Sequence, residues 1–258
     1  MKRWIAAVLM TMMVVGGSVS ASASYSVPEA YMGFSVTEDW YVLSKNMEDE
    51  ALLEAMGVTA EEVNETLVKS DCEYFIINPE EKSEIYVKVK KNPVAEEFYN
   101  IFETEDEILM QELDRILQDG FSVDQFHYLA DDVIITPYAQ TKFVLVPGTA
   151  QYDGKRSGMV IGFTFMNGSG IAFLMHTDTE TPVESDVQVV QEIADSVSFT
   201  VVKDKGESQQ TEEEREDEKT QNPFGYVVGG MGAIALAALC LYLIKRIQKS
   251  DTNNTNGE

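Results

Sequence analysis

The chain has 258 residues, 44 acidic against 19 basic, and a formal net charge of −25. A surface so acidic repels nucleic acid and anionic lipid headgroups, so a nucleic-acid partner is excluded. Two cysteines, Cys72 and Cys240, cannot build a disulfide framework and lack the spacing of a metal site.

Lys2 and Arg3 precede an apolar run over 4–15, and "GGSVSASAS" follows. A charged start, a run too short to span and small residues read as a signal peptide over 1–23, with cleavage after Ala21 or after Ala23. Residues 24–203 then read as one extracytoplasmic domain. "GFSVTEDWYVLS" reads as a hairpin around Thr37-Glu38-Asp39. A short helix over 47–56 is expected, capped by Asn46 and stopped by Gly57. Thr59 with Glu62 makes a capping box for the next helix, with Val58 and Val63 as its hydrophobic staple. "EYFIINPEEKSEIYVKVKK" reads as a second hairpin turning at 78–81. In its return strand Ile85, Val87 and Val89 share one face, and Tyr86, Lys88 and Lys90 share the other. Thr104 with Glu107 predicts a helix carrying Leu109, Leu113, Ile116 and Leu117, ended by Gly120.

"TKFVLVPGTAQ" reads as a strand. "SGMVIGFTFMNGSGIAFLMHTDT" is a hairpin turning at Asn167-Gly168, with Met159, Ile161, Phe163 and Phe165 on one face. Ser185 with Gln188 predicts a last helix whose apolar stripe is Val187, Val190, Ile193 and Ala194. "VSFTVV" completes the sheet. The expected class is α+β: an antiparallel sheet with covering helices.

Residues 204–223 carry dense charge and no apolar run, which predicts a disordered acidic stalk. Residues 224–244 hold no charge, and at about 1.5 Å per residue a helix of that length matches a bilayer's hydrocarbon thickness. Lys245, Arg246 and Lys249 follow, so the tail 245–258 is expected in the cytoplasm. The expected protein is a single-pass plasma-membrane protein, bacterial in style, with its N-terminal domain outside. Gly225, Gly229, Ala233 and Ala237 recur every four residues in the span. That stripe would let two helices approach closely and form a homodimer.

The order of elements resembles the PsbP-like fold family. The likeness rests on "MGFSVTEDWYVLS" near the mature N-terminus, the long "GMVIGFTFMNGSGIAFLMHT" hairpin, the helix after it and "SVSFTVV". Where the family commonly has a proline before the tryptophan, this chain has Thr37-Glu38-Asp39. The resemblance implies a binding or accessory module rather than a reaction.

Candidate chemistry is sparse, and no cofactor is expected. On a continuing strand His176, Asp178 and Glu180 would fall on one side, a set able to bind a divalent cation. His127 stands near Asp131 and Asp132, where a general base is conceivable. Tyr86, Lys88 and Lys90 form a basic strand face able to meet an anionic partner. An apolar patch near Tyr86 or Trp40 would mark a binding surface, and facing carboxylates in a cleft would mark an enzyme. The expected function is a non-enzymatic, membrane-tethered envelope module. It would bind another surface protein or a wall-associated ligand. The rivals are an envelope hydrolase using carboxylates and an assembly factor of a membrane complex.

Overall fold

A computed structural model describes residues 22–203, apart from 46, 79–82, 124, 139–140 and 153–154. Residues 1–21, the stalk, the span with Gly225, Gly229, Ala233 and Ala237, and the tail lie outside the described residues, as do residues 79–81 of the turn expected at 78–81. Among the described residues no helix is long and apolar enough to cross a membrane.

The chain opens with β1 (Ser22–Val27), β2 (Met32–Thr37) and β3 (Tyr41–Ser44), then α1 (Glu50–Met56) and α2 (Ala60–Lys69). The hairpin of β4 (Tyr74–Asn78) and β5 (Ser83–Lys90) comes next, followed by α3 (Pro93–Phe98) and α4 (Asp106–Gln111). A short helical turn at Leu113–Arg115 and a π-helical turn at Ile116–Gly120 continue α4. Two short strands, β6 (Phe126–Tyr128) and β7 (Ile134–Pro137), precede the long β8 (Lys142–Tyr152), β9 (Lys155–Met166) and β10 (Ser169–His176). The described chain ends with α5 (Glu184–Ser196) and β11 (Ser198–Phe199).

These strands form two antiparallel sheets rather than the single sheet expected. The large one runs β3-β4-β5-β10-β9-β8-β6, with β7 also on β8, and the small one runs β1-β2-β11. The expected hairpin around Thr37-Glu38-Asp39 is therefore a corner: β2 pairs with β1 and β11, and β3 pairs with β4. Its physical cause is the apolar pattern. Val36, Trp40 and Val42 all sink into the core between the two sheets, so the chain must step from one to the other. The β4–β5 and β9–β10 hairpins are as expected. Asn167 and Gly168 both have positive φ, 55° and 70°, which is what a two-residue turn matching the strand twist requires.

The large sheet is buried on both faces. Phe75, Ile77, Ile161, Phe163, Phe165 and Leu174 point to a helical layer made by α1, α2, α3 and α4 with its π turn. Ile76, Ile85, Val87, Leu145, Phe173 and Met175 point to the small sheet and α5. Alternating residues of one strand thus serve two cores, and each fully buried aliphatic or Phe side chain is worth about 1.5–3 kcal/mol.

Helix starts followed the local chemistry only in part. Thr59 and Glu62 do form a reciprocal capping box, with Val58 and Val63 buried beside it. In α1 the cap is Asp49, whose carboxylate accepts from the Leu52 N–H at 3.0 Å, and Gly57 ends the helix at φ 66°. Before α4, Thr104 makes no capping box. Its carbonyl accepts from Lys142 Nζ at 2.6 Å, and that ammonium also meets Asp106 at 2.7 Å. For α5 the cap lies two residues upstream of Ser185, at Val183, whose N–H donates to the Asp186 carboxylate at 2.7 Å. The stripes themselves, Leu109 with Leu113, Ile116 and Leu117, and Val190 with Ile193 and Ala194, are buried as expected, whereas Val187 is half-buried and lines the cleft.

Candidate binding cleft

The broad cleft of the domain opens where β8 changes partners. β7 pairs with Lys142 to Leu145, β6 pairs with Gly148 to Ala150, and the 3-10 turn Ala130–Asp132 bridges them. Pro147 stands in the gap and offers no N–H to a neighbouring strand. Opposite this gap runs α5, and at one end the loop 177–183 forms a lip. The lip can lie so close because residue 158 is glycine: an added Cβ there would sit 2.4 Å from Thr177 Oγ1 and 2.7 Å from the Pro182 nitrogen. Thr177 and Thr179 tie the lip to itself, their hydroxyls 3.0 Å apart, while Gly158 N–H donates to the Thr179 carbonyl at 2.6 Å.

The cleft has a volume of about 1050 Å³. Asp131, Asp132, Glu184, Glu192 and Asp195 line it and are exposed, and no lysine or arginine lines it among the described residues. Its apolar contribution comes from Leu129, Val183 and Ile134, which are 69%, 51% and 41% exposed, although large aliphatic side chains are normally covered. Tyr128 in the wall donates to Asp114 at 2.8 Å; burial first, then that carboxylate, push its hydroxyl up to about 12. Beside the cleft, the Tyr138 hydroxyl is shut from solvent with no partner in good hydrogen-bond geometry among the described residues. Burial and then the Asp195 carboxylate raise its pKa.

The fold brings His127, Asp131 and Asp132 together in this cleft. It separates the other sets. Strand geometry ends at His176, so the alternation that would align Asp178 and Glu180 with it stops; both carboxylates are exposed on the lip. His176 sits edge-on to Tyr86 at 5.4 Å between ring centres, and burial lowers its pKa. Among the described residues no three His, Cys, Asp or Glu side chains gather closely enough to hold a metal ion. Tyr86 is only 8% exposed and packs on Phe75 at 5.0 Å, and Trp40 is buried in the opposite core, so neither offers the expected apolar patch. The reason is that Tyr86, Lys88 and Lys90 point to the helical layer rather than to solvent: Lys90 has a side chain 17% exposed and ion-paired with Asp71. Cys72 is buried, and burial pushes its thiol up to about 11, which keeps it protonated and inert.

The cleft's carboxylates on α5 were not singled out in the sequence, although Glu184, Gln188, Gln191 and Asp195 recur at helical spacing and mark one polar stripe. Their meeting with 127–134 depends on two strands sharing β8, which no local pattern records.

No protein-family profile matches the sequence, and a search of curated proteins finds no match. Among solved structures, the chain is similar to the solution structure of cyanobacterial PsbP (CyanoP) from Synechocystis sp. PCC 6803. Identity is 10% and the TM-score 0.40, over 71% of this chain and 95% of that one. It is also similar to a crystal structure from Bacteroides thetaiotaomicron, with 10% identity and a TM-score of 0.39, covering 73% of this chain and half of that one. The PsbP-like resemblance read from the sequence is met by the first of these neighbours, and the likeness is one of fold alone.

Proposed function

We propose that the protein is a membrane-tethered envelope module whose cleft binds an extended, cationic and apolar segment of a partner protein. The observation that carries this reading is the cleft's composition: five exposed carboxylates, no lysine or arginine among the described lining residues, and three exposed aliphatic side chains. Carboxylates beside exposed aliphatic side chains favour lysine or arginine side chains interleaved with aliphatic ones. The sequence of the span and of the signal peptide supports tethering, and the stripe of Gly225, Gly229, Ala233 and Ala237 supports pairing of two spans.

The test uses the full chain in detergent and two synthetic peptides, one alternating lysine with leucine, the other glutamate with leucine. The cationic peptide should bind, and more weakly as salt is raised. Replacing Asp131, Asp132, Glu192 and Asp195 together by their amides should weaken it about tenfold, since each exposed charge pair gives roughly 0.2–1 kcal/mol. Equal binding of both peptides, or no loss in the variant, sinks the reading.

A second reading keeps one observation: His127 and five carboxylates share a cleft, as in hydrolases. Exposure weighs against it, because a general acid that works near neutral pH needs a carboxyl withdrawn from water. Turnover of glycan or peptide substrates by the purified chain, lost in Asp195→Asn, would favour the enzyme.

A further inference from the structure

β1 and β2 pair flush along their length, from Ser22 opposite Thr37 to Val27 opposite Met32. Ser22 and Ala23 therefore supply two of the rungs, and the residue opposite Ala23 is Val36, buried in the core between the sheets. Ser22 has a second place. It lines a groove of about 270 Å³ between the small sheet and α5, together with Thr37, Asp39, Trp40, Glu192 and Ser196. Two carboxylates line this groove, and no cationic side chain does among the described residues. Asp39 accepts from the Thr37 hydroxyl and from the Asn78 amide at 3.3 Å, and Glu192 accepts from Gln188 at 3.0 Å. All of these donors are neutral.

We propose that the mature chain begins at Ser22, and that its new α-ammonium group is the cation of this groove, facing Asp39 and Glu192. The inference rests on the signal-peptide reading. An export-linked peptidase that accepts small residues would add water to the Ala21 carbonyl carbon. The Ala21–Ser22 C–N bond breaks, the leader departs with a carboxylate, and the Ser22 amine takes the proton. Val19 and Ala21 are the small residues such a cut needs. Cutting after Ala23 instead would remove both rungs, strip the cover from Val36 and leave the groove without its terminus.

The full chain, tagged at the C-terminus and purified from its host's envelope, should give Ser22 as its first residue by N-terminal sequencing and intact mass. A start at Ser24 overturns the inference while keeping the leader. A start at Met1 overturns the leader reading, and this inference with it. The ion pair is tested separately, by following reductive methylation of the α-amino group against pH. Its pKa should lie above the ordinary value of about 8 and return towards it in Glu192→Gln and Asp39→Asn. An α-amino group titrating as in an unstructured peptide, unchanged by either substitution, overturns the pairing. A chain processed to Ser24 by design should also melt below the Ser22 form; equal melting overturns the claim that Ser22 and Ala23 belong to the fold.

Discussion

His176 shows how one residue's surroundings outrank its sequence pattern. Burial lowers its pKa from 6.5, with Lys88 acting in the same sense and Glu84 opposing. The imidazole is therefore neutral in the folded domain where an unfolded chain would take up a proton. A group whose folded pKa is depressed adds stability above its unfolded value and loses it as pH falls through the folded one. The melting temperature should accordingly drop as pH is lowered below about 6.5, and His176→Gln should flatten that part of the profile. A parallel profile in the variant would show that other groups carry the acid sensitivity. The metal-ligand pattern around His176 was legible in the sequence only as alternation. The end of β10 at that very residue cancels it.

At the scale of elements, hairpins and apolar stripes were legible because their determinants are local: Asn167-Gly168 makes its own turn, and Thr59 finds Glu62 three residues on. Long-range pairings were not. Asn100, 2% exposed, accepts from the Asn167 N–H at 2.9 Å and donates to the Lys203 carbonyl at 3.0 Å. Asn167 in turn donates to the Val201 carbonyl at 2.8 Å and accepts from the Lys203 N–H at 2.7 Å. Two asparagines thus latch the last described residues to the β9–β10 turn, across 67 and 103 positions of sequence. The same blindness produced the expected hairpin at Thr37-Glu38-Asp39, since the choice of sheet is made by distant strands. Asn100→Ala leaves a buried N–H and a carbonyl unpaired, which costs about 1–3 kcal/mol. For a domain of this size that lowers the melting temperature by roughly 2–10 °C. Hydrogen exchange should quicken at Thr200 and Lys203 more than in β9. Uniform quickening, or none at those amides, would show that the latch does not hold the exit.

For the whole molecule, the latch sets where the described chain leaves the domain. The chain leaves beside Asn167, at one end of β9, while the cleft's lip lies against Gly158 near the other end, nine residues or roughly 30 Å away. Beyond the exit come the acidic residues of 204–223 and then the uncharged 224–244. If these are stalk and span, the tether joins the domain at the end away from the lip, and like charges on stalk and domain keep the two apart. The cleft is then open to partners in the envelope, and its acidic lining disfavours occupation by the chain's own stalk. Protease added to intact cells should cut the stalk, release a domain that keeps its latch, and leave a membrane fragment containing 245–258. An antibody to a C-terminal tag should bind only after permeabilisation. Tag exposure on intact cells would reverse the topology. Full protection of the domain would place it inside, and either result would remove the envelope partner from the proposed function.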